Sequence, residues 1–255
     1  MYHFTFCLSD FCFFVNFDNL EFFQRFKKHY SSFLVEKPAS ILLDITVSTD
    51  GLKDYCFPYK KEKTVKIEFP KKSPASFDDA ILQIDWRLKT VIASELSKYN
   101  FLMLHASCIV SNNKIYGFSG VSGAGKSTTS NIAQKSNYLK PCDDSVLIHI
   151  DEKKEKPIVF STPFIEKEKT YYKNSHWELE SLHFLVQSKI DKKTKLQKID
   201  AMKKILTNSY LADYEENTYM TPETFNLAEK IAEKVDCYDL YFTKSPQFLK
   251  VILDK

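Results

Sequence analysis

Short stretches of alternating or continuous apolar residues dominate the first third of the chain, as is typical of β-strands. Three stretches have this pattern between turn residues: 2–17, 40–48 and 64–69. Only residues 20–33 suggest a helix in this part, whereas residues 77–96 carry apolar side chains at helical spacing. The pattern therefore predicts a β-rich N-terminal lobe over residues 1–75, followed by a second domain over residues 76–255.

In the middle of the chain the same pattern predicts a hairpin and then a helix. Residues 101–110 and 114–119 are apolar runs on either side of residues 111–113, Ser-Asn-Asn, which are turn formers. Residues 126–135 lack proline and glycine and suit a helix, after which 138–142 can return as a strand parallel to 114–119. Later elements are expected at three places: helical residues at 192–206, a helix at 222–235 and a strand at 238–242.

Glycine is concentrated between the second of these strands and the helix. Four of the five glycines fall within residues 117–125, and residues 120–127, Gly-Val-Ser-Gly-Ala-Gly-Lys-Ser, match the phosphate-binding pattern G-x-x-x-x-G-K-[ST]. Bare backbone N–H groups and the positive end of the following helix form a cradle for phosphates. The alternative is a glycine turn that binds no ligand. We expect nucleotide binding at Gly120, Val121, Ser122, Gly123, Ala124, Gly125, Lys126, Ser127 and Thr128.

Two side chains of this loop have expected roles toward the nucleotide. The Lys126 ammonium would reach the β- and γ-phosphate oxygens, and the Ser127 hydroxyl would bind Mg²⁺. The predicted cofactors are therefore ATP and Mg²⁺, although the pattern does not separate ATP from GTP.

The predicted hairpin brings His105 near this loop. If Asn112 and Asn113 form a two-residue turn, residue 110 faces 115 and His105 faces Gly120. A slip of one residue would turn the side chain to the other face, and a histidine in an apolar strand is often structural. The register favours a functional His105.

Two consecutive carboxylates, Asp143 and Asp144, follow the strand predicted at 138–142. Ligands in parallel sheets gather at the carboxyl ends of strands, so this pair is expected near the loop. One carboxylate could hold Mg²⁺ while the other accepts the proton of an attacking hydroxyl. The alternative is a polar turn that leads into a strand over residues 145–150.

Composition excludes some classes of function. The 255 residues carry 34 lysines, two arginines and 33 acidic residues, for a net charge of +3, and no concentrated basic face for nucleic acid stands out. No run approaches the roughly 20 apolar residues that span a bilayer. The six cysteines lack C-x-x-C spacing and no secretion signal is evident, so we expect reduced thiols and a cytoplasmic location.

Three of these segments resemble the catalytic domain of HPr kinase/phosphorylase and the wider group of kinases related to phosphoenolpyruvate carboxykinase. They are Leu104-His105-Ala106-Ser107, the loop at 120–127 and the pair Asp143-Asp144. His105 precedes Lys126 by 21 residues, and the two aspartates follow it by 17 and 18, as in the family's H…GxxxxGKS…DD layout. Residues 161–164 and 183–187 look like later segments of the shorter relatives.

The resemblance implies a mixed α/β fold with a carboxykinase-like phosphate-loop core behind the β-rich lobe. It also implies that His105 supports a catalytic aspartate, with Asp143 favoured as the base and Asp144 as the metal partner, in an order that stays open. Glu166 or Glu168 would complete the Mg²⁺ shell together with Ser127. The relatives form rings, so a homo-oligomer is possible here too.

The chain departs from the family beyond residue 125, where it has neither glycine nor arginine. Bifunctional HPr kinases carry an arginine- and glycine-rich segment there, which argues against phosphorolysis and against HPr as the acceptor. The expected activity is an ATP-dependent kinase that acts on a hydroxyl, with serine favoured, of a protein, peptide or small molecule. Two alternatives stay open: a nucleotide-sensing adaptor without catalysis, and a carboxykinase-like enzyme for a small acid, which needs more arginines than Arg25 and Arg87.

Overall fold

The computed structural model describes residues 1–51, 58–61, 63–70, 76–164, 175–214 and 217–253. Contacts group the chain into two compact units. The first contains Met1–Glu95, Pro163–Ile165 and Leu211–Met220, and the second contains Leu96–Thr162, Glu166–Tyr210 and Thr221–Lys255. These units divide the chain differently from the domains expected at 1–75 and 76–255, so that boundary stays a prediction.

The described residues form strands and helices in a mixed α/β fold. The strands are β1 (Tyr2–Leu8), β2 (Phe11–Phe17), β3 (Leu43–Gly51), β4 (Pro58–Lys61), β5 (Thr64–Pro70), β6 (Phe101–Ser111), β7 (Lys114–Ser119), β8 (Leu139–Cys142), β9 (Ser145–His149), β10 (Ile158–Phe160), β11 (His176–Gln187), β12 (Lys192–Lys195), β13 (Ala212–Tyr214), β14 (Asn217–Tyr219) and β15 (Asp236–Phe242). The helices are α1 (Leu20–His29), α2 (Phe77–Ser97), α3 (Lys126–Lys135), α4 (Lys198–Thr207), α5 (Pro222–Lys234) and α6 (Phe248–Ile252).

The first unit contains a five-stranded sheet in the order β1-β2-β3-β5-β4. Strands β2, β3 and β5 run parallel, and the outer pairs β1–β2 and β4–β5 are antiparallel. Alternate residues of β1 and β2 are buried, so Phe6 and Phe13 stack in the core, where Phe6 also meets the edge of the Tyr30 ring. The strands and the helix predicted for this region are confirmed.

A disulfide closes the β1–β2 hairpin. Cys7 and Cys12 are cross-strand partners and are bonded through their sulfur atoms. The expectation of reduced thiols is wrong for this pair because a five-residue separation and a tight turn bring the two sulfurs together. Cys108, Cys142 and Cys237 are buried, and burial raises the pKa of Cys237 to about 12.

The second unit contains an eight-stranded mixed sheet in the order β10-β9-β6-β7-β11-β15-β12, with β8 also paired to β6. Because β10 pairs with β11 as well, the strands β10, β9, β6, β7 and β11 close into a ring. Strands β7, β11 and β15 run parallel, so their carboxyl ends lie at the same edge. Ligand sites of α/β proteins occur at such an edge.

Helices α4 and α5 bury apolar faces against this sheet. Ala201, Ile205, Leu227 and Ile231 belong to the same buried cluster as β6 and β11 residues. Helix α5 begins at the predicted residue, since Pro222 follows Thr221, whose hydroxyl accepts from the backbone N–H of Thr224.

The helical stretch predicted at 192–206 is partly wrong. Residues 192–195 instead form β12, antiparallel to β15, and the helix begins only at Lys198. Pairing with an available sheet edge overrides the local helical preference of these lysines. Among the described residues, no helix combines the length and hydrophobicity needed to cross a lipid bilayer.

Candidate functional site

The hairpin formed by β6 and β7 has the register predicted from the sequence. Residues 112–113 form the two-residue turn, with φ of 51° and 60° at its two asparagines. Val110 pairs with Ile115, and the ladder continues to Ala106 and Ser119. The predicted register is therefore confirmed along the whole length of the ladder.

His105 lies one residue beyond the end of this ladder. The Ser119 hydroxyl donates to the backbone oxygen of His105 over 3.0 Å, and on its other side His105 pairs with Ser145 of β9. The backbone of β6 therefore continues past the start of the glycine loop, and the pair expected between His105 and Gly120 is not formed.

Residues 120–125 connect β7 to α3 through backbone conformations that favour glycine. Gly123 has φ of +80° and Gly125 has φ of +114°, in the left-handed region. A Cβ at Gly123 would meet nothing within 4 Å, whereas one at Gly125 would lie 2.7 Å from Cζ of Phe242. The loop tip is open, its base is tightly packed, and α3 begins without a side-chain cap, which leaves N–H groups for an anion.

The Lys126 side chain folds over the loop. Its ammonium donates to the backbone oxygens of Gly120, over 2.7 Å, and Val121, over 3.3 Å. Burial lowers the pKa of Lys126, while Asp144 and Asp143 oppose that shift through their charge. Both carboxylates therefore act electrostatically on the lysine that the sequence assigns to the phosphates.

Hydroxyl groups fix the first turn of α3 to the sheet. The backbone oxygen of Lys126 accepts from Ser107 on β6 over 2.9 Å, and from Ser130 and Thr129 one turn along the helix. The Ser130 hydroxyl also lies 2.9 Å from Oδ1 of Asp143. Ser107, from the Leu-His-Ala-Ser segment, thus has a structural role in anchoring the loop.

Asp143 and Asp144 form the short connection between two strands that share one neighbour. Strands β8 and β9 both pair antiparallel with β6, and the two aspartates lie between them. Because β6 is antiparallel to β7, β8 has the predicted direction, but its partner is β6. The expected position at the end of a strand is therefore confirmed, since β8 ends at Cys142, and the expected next strand begins at Ser145.

The two carboxylates have different surroundings. Asp143 is buried, with the Lys140 ammonium 3.7 Å from its Oδ1, and the Lys140 side chain is fully buried. Asp144 is about one-third exposed, and its Oδ1 lies 3.1 Å from Nδ1 of His105. The sequence could not separate the two residues, whereas the structure distinguishes a buried ion pair from an accessible carboxylate.

Sequence reasoning missed Tyr210, which joins this site. Its hydroxyl donates to Oδ2 of Asp144 over 3.0 Å and lies 3.3 Å from Nδ1 of His105 and 3.2 Å from the Ser145 hydroxyl. Tyr210 is 66 residues from Asp144 along the chain and belongs to none of the recognised segments, so no sequence signal pointed to it.

The other predicted site residues lie along the same loop or outside the described part. Val121, Ser122 and Gly123 are exposed, and Ser127 and Thr128 are half-buried in the first turn of α3. Glu166 and Glu168 lie outside the described residues. Within the ranges that the structure describes, no group of three or more His, Cys, Asp or Glu side chains could hold a metal ion.

These features define a mixed α/β protein with a glycine loop between a strand and a helix and a carboxylate–imidazole pair in the same unit. No protein-family model and no curated protein matches the chain. Among solved structures, it is similar to the Hpr(Ser) kinase/phosphatase from Coxiella burnetii, with 13% identity and a TM-score of 0.30, over 51% of this chain and 93% of that one. A likeness this weak defines neither the family nor the function.

Proposed function

We propose that this chain is a phosphotransferase that binds ATP with Mg²⁺ on residues 120–128 and transfers the γ-phosphoryl group to a hydroxyl. The observation that carries the proposal is the buried Lys126 ammonium, which folds back over the glycine loop to the backbone oxygen of Gly120, 2.7 Å away, at the uncapped start of α3. A glycine turn that bound nothing would have no need of a buried lysine at this place. The acceptor is a hydroxyl of a protein, peptide or small molecule, with serine favoured.

The residues present fit such a ligand. The open space over Gly123 and the uncapped start of α3 suit phosphate oxygens. The Lys126 ammonium, which donates to a backbone oxygen of the loop, would donate to a phosphate oxygen instead when the nucleotide is bound. The Ser127 hydroxyl and a carboxylate of the Asp143–Asp144 pair are the oxygen donors that Mg²⁺ prefers. When bound, ATP and Mg²⁺ supply the phosphoryl group and a charge that neutralises its oxygens.

The protein side chains then bind, orient and accept a proton. Lys126 holds phosphate oxygens by charge, and the backbone N–H groups of the loop orient them. Asp144 is the better placed of the two aspartates to accept the proton of the acceptor hydroxyl, because it is accessible while Asp143 is buried beside Lys140. This reverses the order that the family resemblance favours.

The test is transfer of label from γ-³²P-ATP with Mg²⁺ to a degenerate mixture of serine-containing peptides and to a panel of small polyhydroxy compounds. We expect transfer by the wild type and by Asp151→Asn, a matched change in the β9–β10 turn, and at least about 100-fold less by Asp144→Asn. A fluorescent ATP analogue measures binding separately. Binding without transfer to any acceptor would refute the kinase and favour the nucleotide-sensing adaptor, and absence of binding would refute both.

A further inference from the structure

Tyr210 is held in place by backbone pairing with β6. The N–H of His105 donates to the backbone oxygen of Asn208 over 2.7 Å, and the N–H of Tyr210 donates to that of Met103 over 2.9 Å. Leu104 and Ser209 form an antiparallel bridge between these two bonds. The three residues after α4 therefore continue along the part of β6 that extends beyond its ladder with β7. The position of the Tyr210 ring, which is 4% exposed, is set by this pairing.

The Tyr210 hydroxyl has one hydrogen and lies close to polar atoms of Asp144, His105 and Ser145. An ionised carboxylate can only accept, so the hydrogen points to Oδ2 of Asp144, at 3.0 Å. The hydroxyl oxygen is then the acceptor toward His105 Nδ1 at 3.3 Å and the Ser145 hydroxyl at 3.2 Å.

These contacts fix the tautomer of His105. Its Nδ1 faces Oδ1 of Asp144 at 3.1 Å, the backbone oxygen of Asp144 at 3.2 Å and the Tyr210 oxygen, all of them acceptors in this arrangement. In the neutral ring the hydrogen is therefore on Nδ1, and Nε2 keeps its lone pair. Both oxygens of the Asp144 carboxylate are held at the same time, one by the phenol and one by the imidazole.

We propose that Tyr210 is a positioning residue, whose hydroxyl fixes the Asp144 carboxylate and the orientation of His105 for the transfer step. This inference rests on the proposed phosphotransferase function. A buried tyrosine can also serve packing alone, with its hydroxyl bonded to whatever acceptor is near. Removing the hydroxyl distinguishes the two roles. If Tyr210 serves packing alone, its loss changes the stability of the protein, whereas if Tyr210 is a positioning residue, its loss changes the rate of transfer without changing nucleotide binding.

Tyr210→Phe removes the hydroxyl and keeps the ring, and Tyr138→Phe, at a half-buried tyrosine between α3 and β8, is the matched control. Loss of a hydrogen bond to a charged group lowers a rate by about 10- to 100-fold, so kcat of Tyr210→Phe should fall by that factor. Its KM and Kd for ATP should stay within about twofold of wild type, since the hydroxyl contacts given above are to Asp144, His105 and Ser145, which lie outside residues 120–128. Tyr138→Phe should retain the wild-type kcat.

A second readout needs no nucleotide. Two-bond ¹⁵N–¹H NMR spectra of histidine-labelled protein, assigned with His105→Gln, should show the hydrogen of His105 on Nδ1 in the wild type, and Tyr210→Phe should shift that signal. An unchanged His105 signal, an unchanged kcat, or an ATP affinity that falls as far as kcat would each overturn the positioning role. If the wild type transfers no phosphoryl group, the proposed function fails, and the NMR comparison alone decides whether Tyr210 holds this pair.

Discussion

The Lys140 ammonium lies 3.7 Å from Oδ1 of Asp143, and both side chains are buried. The same ammonium donates to Oδ1 of Asn131 over 2.6 Å, so it links β8 to the middle of α3. Burying a charge costs free energy that its partners offset, so removing one member of the pair destabilises the fold.

Lys140→Met should therefore destabilise the protein by about 3 to 5 kcal/mol, because the buried Asp143 carboxylate keeps its bond from Ser130 but loses the ammonium 3.7 Å away. Urea unfolding followed by circular dichroism measures this loss. The double variant Lys140→Met/Asp143→Leu should cost less than the sum of the two single changes, since the two groups are coupled. Lys135→Met, on the exposed end of α3, is the control, and an equal loss there would contradict the ion-pair explanation.

Local chemistry explains which parts of the fold could be predicted. The Asn112–Asn113 turn set the β6–β7 register, and the spacing of glycines and Lys126 predicted where β7 ends and α3 begins. Both the register and this boundary depend on residues that are close together in the chain, so they can be predicted from the sequence.

The partners of the two aspartates could not be predicted in this way. Tyr210 reaches Asp144 only because the segment after α4 pairs with β6, and Lys140 is buried only because β8 pairs with that strand as well. Both depend on the order of strands in the sheet, which hydrophobic patterns do not specify. Pairing between strands that are distant in sequence therefore determines that Asp143 is buried and that Asp144 is accessible.

Gly125→Ala should lower the free energy of unfolding by about 1 to 3 kcal/mol more than Gly123→Ala does. Both positions have positive φ, but only at Gly125 does the new methyl group meet a ring, 2.7 Å from Cζ of Phe242. Thermal and urea unfolding of the two single variants measure the difference. Adding Phe242→Leu should reduce the penalty of Gly125→Ala, and equal penalties at both glycines would contradict the packing account.

Lys126→Ala should weaken binding of a fluorescent ATP analogue by about 10- to 100-fold while the fold is retained, because charge-assisted bonds to phosphate are lost. Lys135→Ala removes the same charge from the other end of α3 and should bind like the wild type. Fluorescence titration measures affinity, and circular dichroism checks the fold. Equal affinities of Lys126→Ala and the wild type for the analogue would show that the loop is not part of the nucleotide site.

Glu180 should make the protein more stable at neutral than at acidic pH. Its carboxylate accepts from Lys156 over 2.6 Å and lies 2.9 Å from the ammonium of Lys114, and these bonds hold the pKa of Glu180 below its ordinary value of 4.5. A carboxyl whose pKa is lower in the folded state stabilises that state above the unfolded pKa, and the contribution disappears as the pH falls through the folded pKa. Glu180→Gln should therefore lose about 1 kcal/mol in urea unfolding at pH 7 and nothing once the pH is below the folded pKa. Glu229→Gln, an exposed change on α5, is the control, and a loss for Glu180→Gln that stays constant from pH 7 into the acid range would rule out the ion pair as its source.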